Sequence, residues 1–389
     1  MWKKVISNLM KILLGMVLAG ALGVFALLYY SVNQMEEFGY LPFDYIMHCR
    51  GYVKEAEGDY IRYRNGDMTY DVSPDYKTVR KLNMEFQCED DFKESLRILY
   101  IKKDFIETLL GENIERNGLL HYSFEEQEYE DLTHLKIPLV AHAGGGYLVK
   151  RYTGKYRLVN YQNCSEIIAA SYKEGYKAYE IDFILSTDNI LCSLHTWDFY
   201  DHEMTANEFL KQPARGGGTT LLLSDVLKLF NVNKDMILIL DLKSRSWESG
   251  ELIKWYRKIV EMADRIGGKS LLDRIVPQIY HREEYDMVRQ VYDWSCMIFT
   301  LYRMSAVADD DIIEYLKDKP DLQIVTIPEE RVSSEFCQKL HELGKVVYAN
   351  TINNINSLYL FLNKGVDGFY TDLMKPEEYY ERYGEKQYS

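Results

Sequence analysis

The sequence predicts a (β/α)8 barrel preceded by a transmembrane helix and a small α+β region, and three observations carry that prediction. From Pro138 onward, short apolar strands alternate with amphipathic helical stretches. Polar residues recur at the ends of those strands, where a barrel gathers its chemistry. Near the start of the chain lies a long uncharged segment. The expected boundaries are 1–35 for a cytoplasmic N-terminus and signal anchor, 36–136 for a membrane-proximal region, and 137–389 for the barrel.

The anchor comes first. No charged residue occurs between Lys11 and Glu36, and Ile12 to Tyr30 is almost wholly apolar. At helical rise this is about the ~20 residues needed to cross a bilayer. The run exceeds the roughly 7–15 residues of a cleaved signal core, which favours an uncleaved anchor. Small residues such as Ala19, Gly20 and Ala21 keep a cleaved signal peptide as the alternative. Lys3, Lys4 and Lys11 precede the span and Glu36 and Glu37 follow it, so a single-pass protein of the cell membrane with everything after Tyr40 extracytoplasmic is expected. The net charge of -14 argues against a nucleic-acid partner, which needs a basic face.

In the membrane-proximal region, "DYIRYRNGDMTYDV" reads as two strands joined at Asn65-Gly66 by a type I′ turn. A helix-like stretch follows from Phe92 to Leu110. Cys49 and Cys88 are placed to pair outside the cell, whereas Cys164, Cys192, Cys296 and Cys337 sit in apolar contexts that suit buried thiols.

The eight barrel strands are expected at Pro138–Ala143, Ala178–Leu185, Met236–Leu242, Ile275–Tyr280, Cys296–Tyr302, Leu322–Ile327, Val346–Thr351 and Val366–Thr371. Helical patterns between them include Ser165–Glu174, Leu222–Phe230, Gly250–Ile266 and Ser333–Leu343. A doubly wound open sheet is the alternative, because periodicity does not distinguish a closed sheet from an open one. Gly216–Gly218 reads only as a flexible loop.

The strand ends then collect the candidate site. The first ends in "AHAGGG" with His142; the second carries Glu180 and Asp182, two apart and so on one face, with His195 on the hairpin return. The third ends in "LILDLKS" with Asp241 and Lys243, and Gln278, Asn350 and Asp372 come from later strands. Paired acids in a buried setting require a counter-charge. Glu180, Asp182 and Asp241 are hard oxygen ligands that suit one Mg2+ or Ca2+. Two histidines beside that ion can share the work of general base and general acid, and Lys243 can stabilise charge on a phosphoryl oxygen.

Residues 138 to about 376 resemble the glycerophosphodiester phosphodiesterase family, related to phosphatidylinositol-specific phospholipase C-like barrels. "VAHAGG" is similar to its His-Arg-Gly strand, "NCSE" (Asn163–Glu166) to its Asn-Thr-x-Glu helix start, and "YEIDFILSTDNILCSLH" to its Glu-x-Asp, Thr-x-Asp-Gly and His-Asp segment. "LDLK", "NTIN" (Asn350–Asn353) and "GVDGFYTD" resemble its third, seventh and last strands. The resemblance implies His142 and His195 as the catalytic pair and Glu180, Asp182 and Asp241 as metal ligands. Ala143 stands where the family usually has a phosphate-gripping arginine, and Thr196 where it has an aspartate. Asp241 stands for a glutamate, and the stretch from Gly144 to Gln162 is expanded. Arg151, Arg157 and the backbone amides of Gly144–Gly146, around Gly145, are the candidates to cradle the phosphate instead.

The expected function is a membrane-anchored, metal-dependent phosphodiesterase with catalytic His142, His195 and Lys243, and with Gln278 and Asn350 as further substrate contacts. Its substrate would be a lipid headgroup, a lysophospholipid or a glycerol-phosphate polymer. A non-catalytic phosphodiester-binding barrel is the alternative that the missing arginine favours.

Overall fold

A computed structural model of the protein describes residues 29–57, 60–82, 84–88, 90–118, 121–126, 137–150, 155–243 and 249–384. The expected span Ile12–Tyr30 therefore lies, apart from its last two residues, outside the described residues. Among these no helix is long and apolar enough to cross a membrane. The chain divides into two compact units, Met1–Leu82 with Gln87–Glu126 and Asn83–Phe86 with Gln127–Ser389.

The first unit is mostly antiparallel. Val53–Glu57, Tyr60–Asn65, Met68–Val72 and Thr78–Lys81 form a meander, and Ile98–Lys102 pairs with both Tyr40–Pro42 and Phe92–Ser95. Two expectations shift here. Asn65 is still a strand residue, paired with Met68, so the turn is Gly66-Asp67; Gly66 has φ 59°, and Asp67 stays out of the left-handed region a type I′ turn also requires there. The helix-like stretch splits, because Leu96 and Arg97, with φ 50° and 63°, reverse the chain between Ser95 and Ile98. The buried run Leu99, Tyr100 and Ile101 then suits a strand, and the helix is confined to Lys103–Leu110, closed by left-handed Gly111. Cys49 is exposed, Cys88 is buried, and no disulfide joins them, so the expected pairing is absent.

The second unit is the barrel. Its strands are β1 (Leu139–Ala141), β2 (Ala178–Leu185), β3 (Ile237–Leu242), β4 (Ile275–Ile279), β5 (Met297–Thr300), β6 (Leu322–Pro328), β7 (Val346–Asn350) and β8 (Gly368–Thr371). All eight pair in parallel, and β1 pairs with both β2 and β8, Val140 opposite Ala178 and Leu139 opposite Phe369. The sheet is thus closed, which eliminates the open alternative. Near-continuous apolar runs such as "ILILDL" follow from closure, because each strand is covered on both faces. Helices α1 (Ser165–Lys173), α2 (Leu223–Val232), α3 (Ser249–Leu272) and α4 (Glu284–Arg289) follow β1 to β4 in turn. The return strand Leu191–Ser193 pairs antiparallel with the end of β2.

The interior is packed rather than hollow: Val140, Ala178, Ile239, Val276, Ile298 and Ile324 cluster with Tyr348 and Tyr370. Gly368 is required there, since a Cβ at that position would lie 2.1 Å from the Tyr348 ring. Away from the mouth, buried Arg274 precedes β4 and its Nη1 donates to the carbonyls of Phe230, Asn233 and Met236. One guanidinium thereby satisfies backbone acceptors at the end of α2 and at the start of β3.

Candidate active site

Strand register builds the acidic cluster. Glu180 and Asp182 share the inward face of β2, and Asp241 on β3 lies directly opposite Asp182. All three carboxylates are buried, and one oxygen from each lies within 4.8 Å of the others. Asp241 Oδ2 accepts from Lys243 Nζ at 2.7 Å, from Gln278 Nε2 at 2.9 Å and from the Tyr280 hydroxyl at 2.5 Å. Lys243 Nζ also lies 3.0 Å from Asp182 Oδ1. Asn163, from "NCSE", fixes Asp182 by donating Nδ2–H to its Oδ2 and accepting its backbone N–H.

These contacts divide the charge unevenly. Burial, reinforced by Asp182 and Asp241, pushes the Glu180 carboxyl well above its usual range. Burial also acts against ionised Asp182, but Lys243 and the two histidines outweigh it and the carboxyl is held low. For Lys243 burial opposes the charge, and Asp182 and Asp241 more than restore it. One lysine thus faces three acids. Asp241 Oδ1 is buried with no hydrogen-bond partner among the described residues. A hard divalent cation fits this donor set, since it would use the orphaned oxygen and balance the remaining negative charge.

The histidines flank this cluster. His142 stands just after β1, and its Nδ1 lies 2.8 Å from Asp372 Oδ1. The other Asp372 oxygen accepts from Asn353 and Asn160. Burial would raise the Asp372 carboxyl, yet the His142 hydrogen bond and these amides hold it below its ordinary value. His195 follows the return strand, burial depresses its pKa, and its Nδ1 is enclosed without a hydrogen bond. Between the two rings sits Tyr161, with centroids 4.9 Å from His142 and 4.5 Å from His195.

Most expected site residues meet in this cleft. His142, His195, Glu180, Asp241, Lys243, Gln278 and Asn350 line it, with Asp182 beneath. Gly145 does not: it is buried, its N–H donates to His142 O, and a Cβ there would lie 2.4 Å from Ser171 Oγ. Arg157 is exposed on a hairpin, Tyr147–Lys150 with Tyr156–Val159, and Arg151 lies outside the described residues. Ala143 is buried and donates its N–H to Glu180 Oε2, so that position serves the acids through its backbone. Thr196 accepts from the Asp198 N–H. Gly216–Gly218 is no slack linker. A Cβ on Gly216, at φ 97°, would lie 2.7 Å from Gln162 Oε1 and 2.9 Å from Val159 Cγ1. Tyr161 and the Asp372 partnership escaped the sequence reading, because neither carries a local pattern.

Several solved structures are similar to this chain. A glycerophosphodiester phosphodiesterase from Parabacteroides distasonis is 20% identical, with 63% of this chain and 95% of that one covered and a TM-score of 0.49. An Oleispira antarctica phosphodiesterase, solved with the product sn-glycerol-3-phosphate, is 16% identical over 62% and 95% of the two chains, with a TM-score of 0.47. The Thermotoga maritima glycerophosphodiester phosphodiesterase is 15% identical over 61% and 94%, with a TM-score of 0.43. No curated protein sequence matches the chain. Residues 149–375, well over half of the sequence, match the glycerophosphoryl diester phosphodiesterase family, and the protein belongs to that family of phosphodiester-cleaving enzymes.

Proposed function

We propose that the protein hydrolyses glycerophosphodiester-type bonds by two-histidine acid-base catalysis at a site that takes one divalent cation, Mg2+ or Ca2+. The observation that supports this most is the pair of histidines held on either side of Tyr161, next to three buried acids and one lysine. Burial keeps His195 neutral at pH 7, which suits it to remove a proton from the glycerol 2-hydroxyl. The hydroxyl oxygen forms a bond to phosphorus as the bond from phosphorus to the leaving alcohol breaks. His142, held at Nδ1 by Asp372, supplies a proton from Nε2 to that alcohol. Water then opens the cyclic phosphate with the two roles reversed. Lys243 offers its charge to a non-bridging oxygen. Glu180, Asp182 and Asp241 would hold the cation, which when bound supplies further positive charge to the phosphoryl group.

The test is alcohol release from glycerophosphocholine and bis(p-nitrophenyl) phosphate by the full chain. Release should stop on chelation and return with Mg2+ or Ca2+. Full activity after exhaustive chelation, or in folded His142→Ala, would overturn the reading. We further place the barrel outside the cell, on the charge bias around Ile12–Tyr30. A protease that cannot cross the membrane should reach the region after Tyr40 in intact cells, and protection of the C-terminal domain would reverse this orientation.

A further inference from the structure

The cleft has a second charged element at its rim. Arg215 is half-buried on the glycine loop, its guanidinium 4.4 Å from the centre of the Phe199 ring and 5.9 Å from that of Tyr161. Those two rings pack against the histidines: Tyr161 touches both, and Phe199 stacks on His195 at 6.3 Å. Arg215 makes no ion pair or hydrogen bond among the described residues, so its charge is not consumed within the fold.

The loop that carries it is held in place. Ala214 N–H donates to Gly218 O, Gly217 N–H donates to Ala214 O, and Glu166 accepts from both the N–H and the hydroxyl of Thr219. The neighbouring hairpin touches the same loop through Tyr147, whose hydroxyl donates to Gly216 O. Val159 lies against Gly216, and Arg157, two residues earlier on the strand, shares that face. Arg157, Lys150 and Lys155 are exposed and likewise form no ion pair among the described residues. Among the described residues, Arg215 at the mouth and Arg157 on the neighbouring hairpin thus carry charges that no ion pair offsets, in a chain whose net charge is -14.

Aromatic faces beside a phosphodiester site would ordinarily suit a quaternary ammonium group such as choline. Here Arg215 already occupies them, and a second cation would be repelled. An anion, by contrast, finds a guanidinium with its donors free. We infer that the rim reads a second negative charge: Arg215, aided by Arg157, takes the phosphate one unit away from the bond being cut. The preferred substrate is then a glycerol phosphodiester carrying at least two phosphates, and choline esters are disfavoured. This rests on the proposed phosphodiesterase reading and adds its substrate class.

The experiment uses the full chain and two soluble compounds, bis(glycerophospho)glycerol and glycerophosphocholine. Wild type should favour the first in kcat/KM, and Arg215→Ala should shrink that ratio by about tenfold, mainly through KM, as expected for losing a charged hydrogen bond. Arg215→Lys should restore most of the ratio, which a purely structural role would not do. Preference for glycerophosphocholine in wild type, or an unchanged ratio in a folded Arg215→Ala, overturns the proposal. Should neither compound be cleaved, the phosphodiesterase reading has failed, and calorimetric binding of bis(glycerophospho)glycerol decides the rim alone: binding weakened by Arg215→Ala supports it, and equal binding overturns it. Offering the same two-phosphate unit in acylated form in detergent micelles separates a lipid source from a free polymer, and Arg215-dependent cleavage of either form supports the proposal.

Discussion

Asp372 Oδ1 lies 2.8 Å from His142 Nδ1, although the two residues are 230 positions apart in the chain. A carboxylate accepts only, so Nδ1 carries the proton and Nε2 is the ring nitrogen left for chemistry. Asp372→Asn presents either an amide N–H or a weaker acceptor and releases the ring from that tautomer. We expect kcat to fall by about 10²-fold or more with the fold intact, by analogy with other carboxylate-histidine pairs. A folded Asp372→Asn enzyme with near-normal kcat on glycerophosphocholine would show that the pair is only structural.

Burial lowers the His195 pKa below its ordinary 6.5. The base must be neutral to work, so acid should inhibit only after the pH has dropped past this depressed value. The acidic limb of kcat/KM is therefore expected below pH 6.5, and a limb centred above it would contradict the assignment. His142→Ala and His195→Ala should each cost about 10²–10⁴-fold, and the double variant little more, because the two act as a unit.

The acidic cluster makes a prediction that needs no substrate. Cation binding to the folded state alone should raise the melting temperature, by about 2.7 kcal/mol of added stability at a hundredfold excess over Kd. Asp182→Asn and Asp241→Asn each remove a ligand charge and should abolish most of that shift. An undiminished shift in both variants would move the cation elsewhere.

Arg274 supports the opposite end of the barrel. Arg274→Met would keep the volume and strand two buried carbonyls, those of Phe230 and Met236, while Asn233 O keeps the Met236 N–H. The expected loss is about 2–4 kcal/mol, or a Tm drop of roughly 5–15 °C. Specific activity of the folded fraction at low temperature should hold, and thermal unfolding with activity measured in parallel separates the two effects.

What the sequence disclosed followed a physical division. Strand runs such as Ala178–Leu185 are legible because closure buries both faces, and Glu180 and Asp182 stand out because acids are costly in such a run. Lys243 and Asp241 share a face through local spacing alone. Tyr161 was invisible: it lies in an irregular segment with φ 53°, and only tertiary packing sets its ring between the histidines. The Asp372 contact depends on β1 meeting β8, a closure that periodicity does not encode. Gly145 misled for the opposite reason, since a glycine run suggested a phosphate cradle where helix α1 packs closely instead. Phe92–Leu110 looked helical because its turn at Leu96-Arg97 contains neither glycine nor proline.

The seam between β1 and β8 also sets the order in which the enzyme can come alive during synthesis. His142 leaves the ribosome 230 residues ahead of Asp372. At about 5–20 residues per second that is an interval on the order of 10–50 s. Through it, one edge of β1 waits without its eventual neighbour and the proton-transfer pair is incomplete. On the proposed mechanism, a nascent chain, or one clipped before residue 368, would carry the acids and both histidines yet lack the dyad, so that hydrolysis would begin only once the last strand is in place.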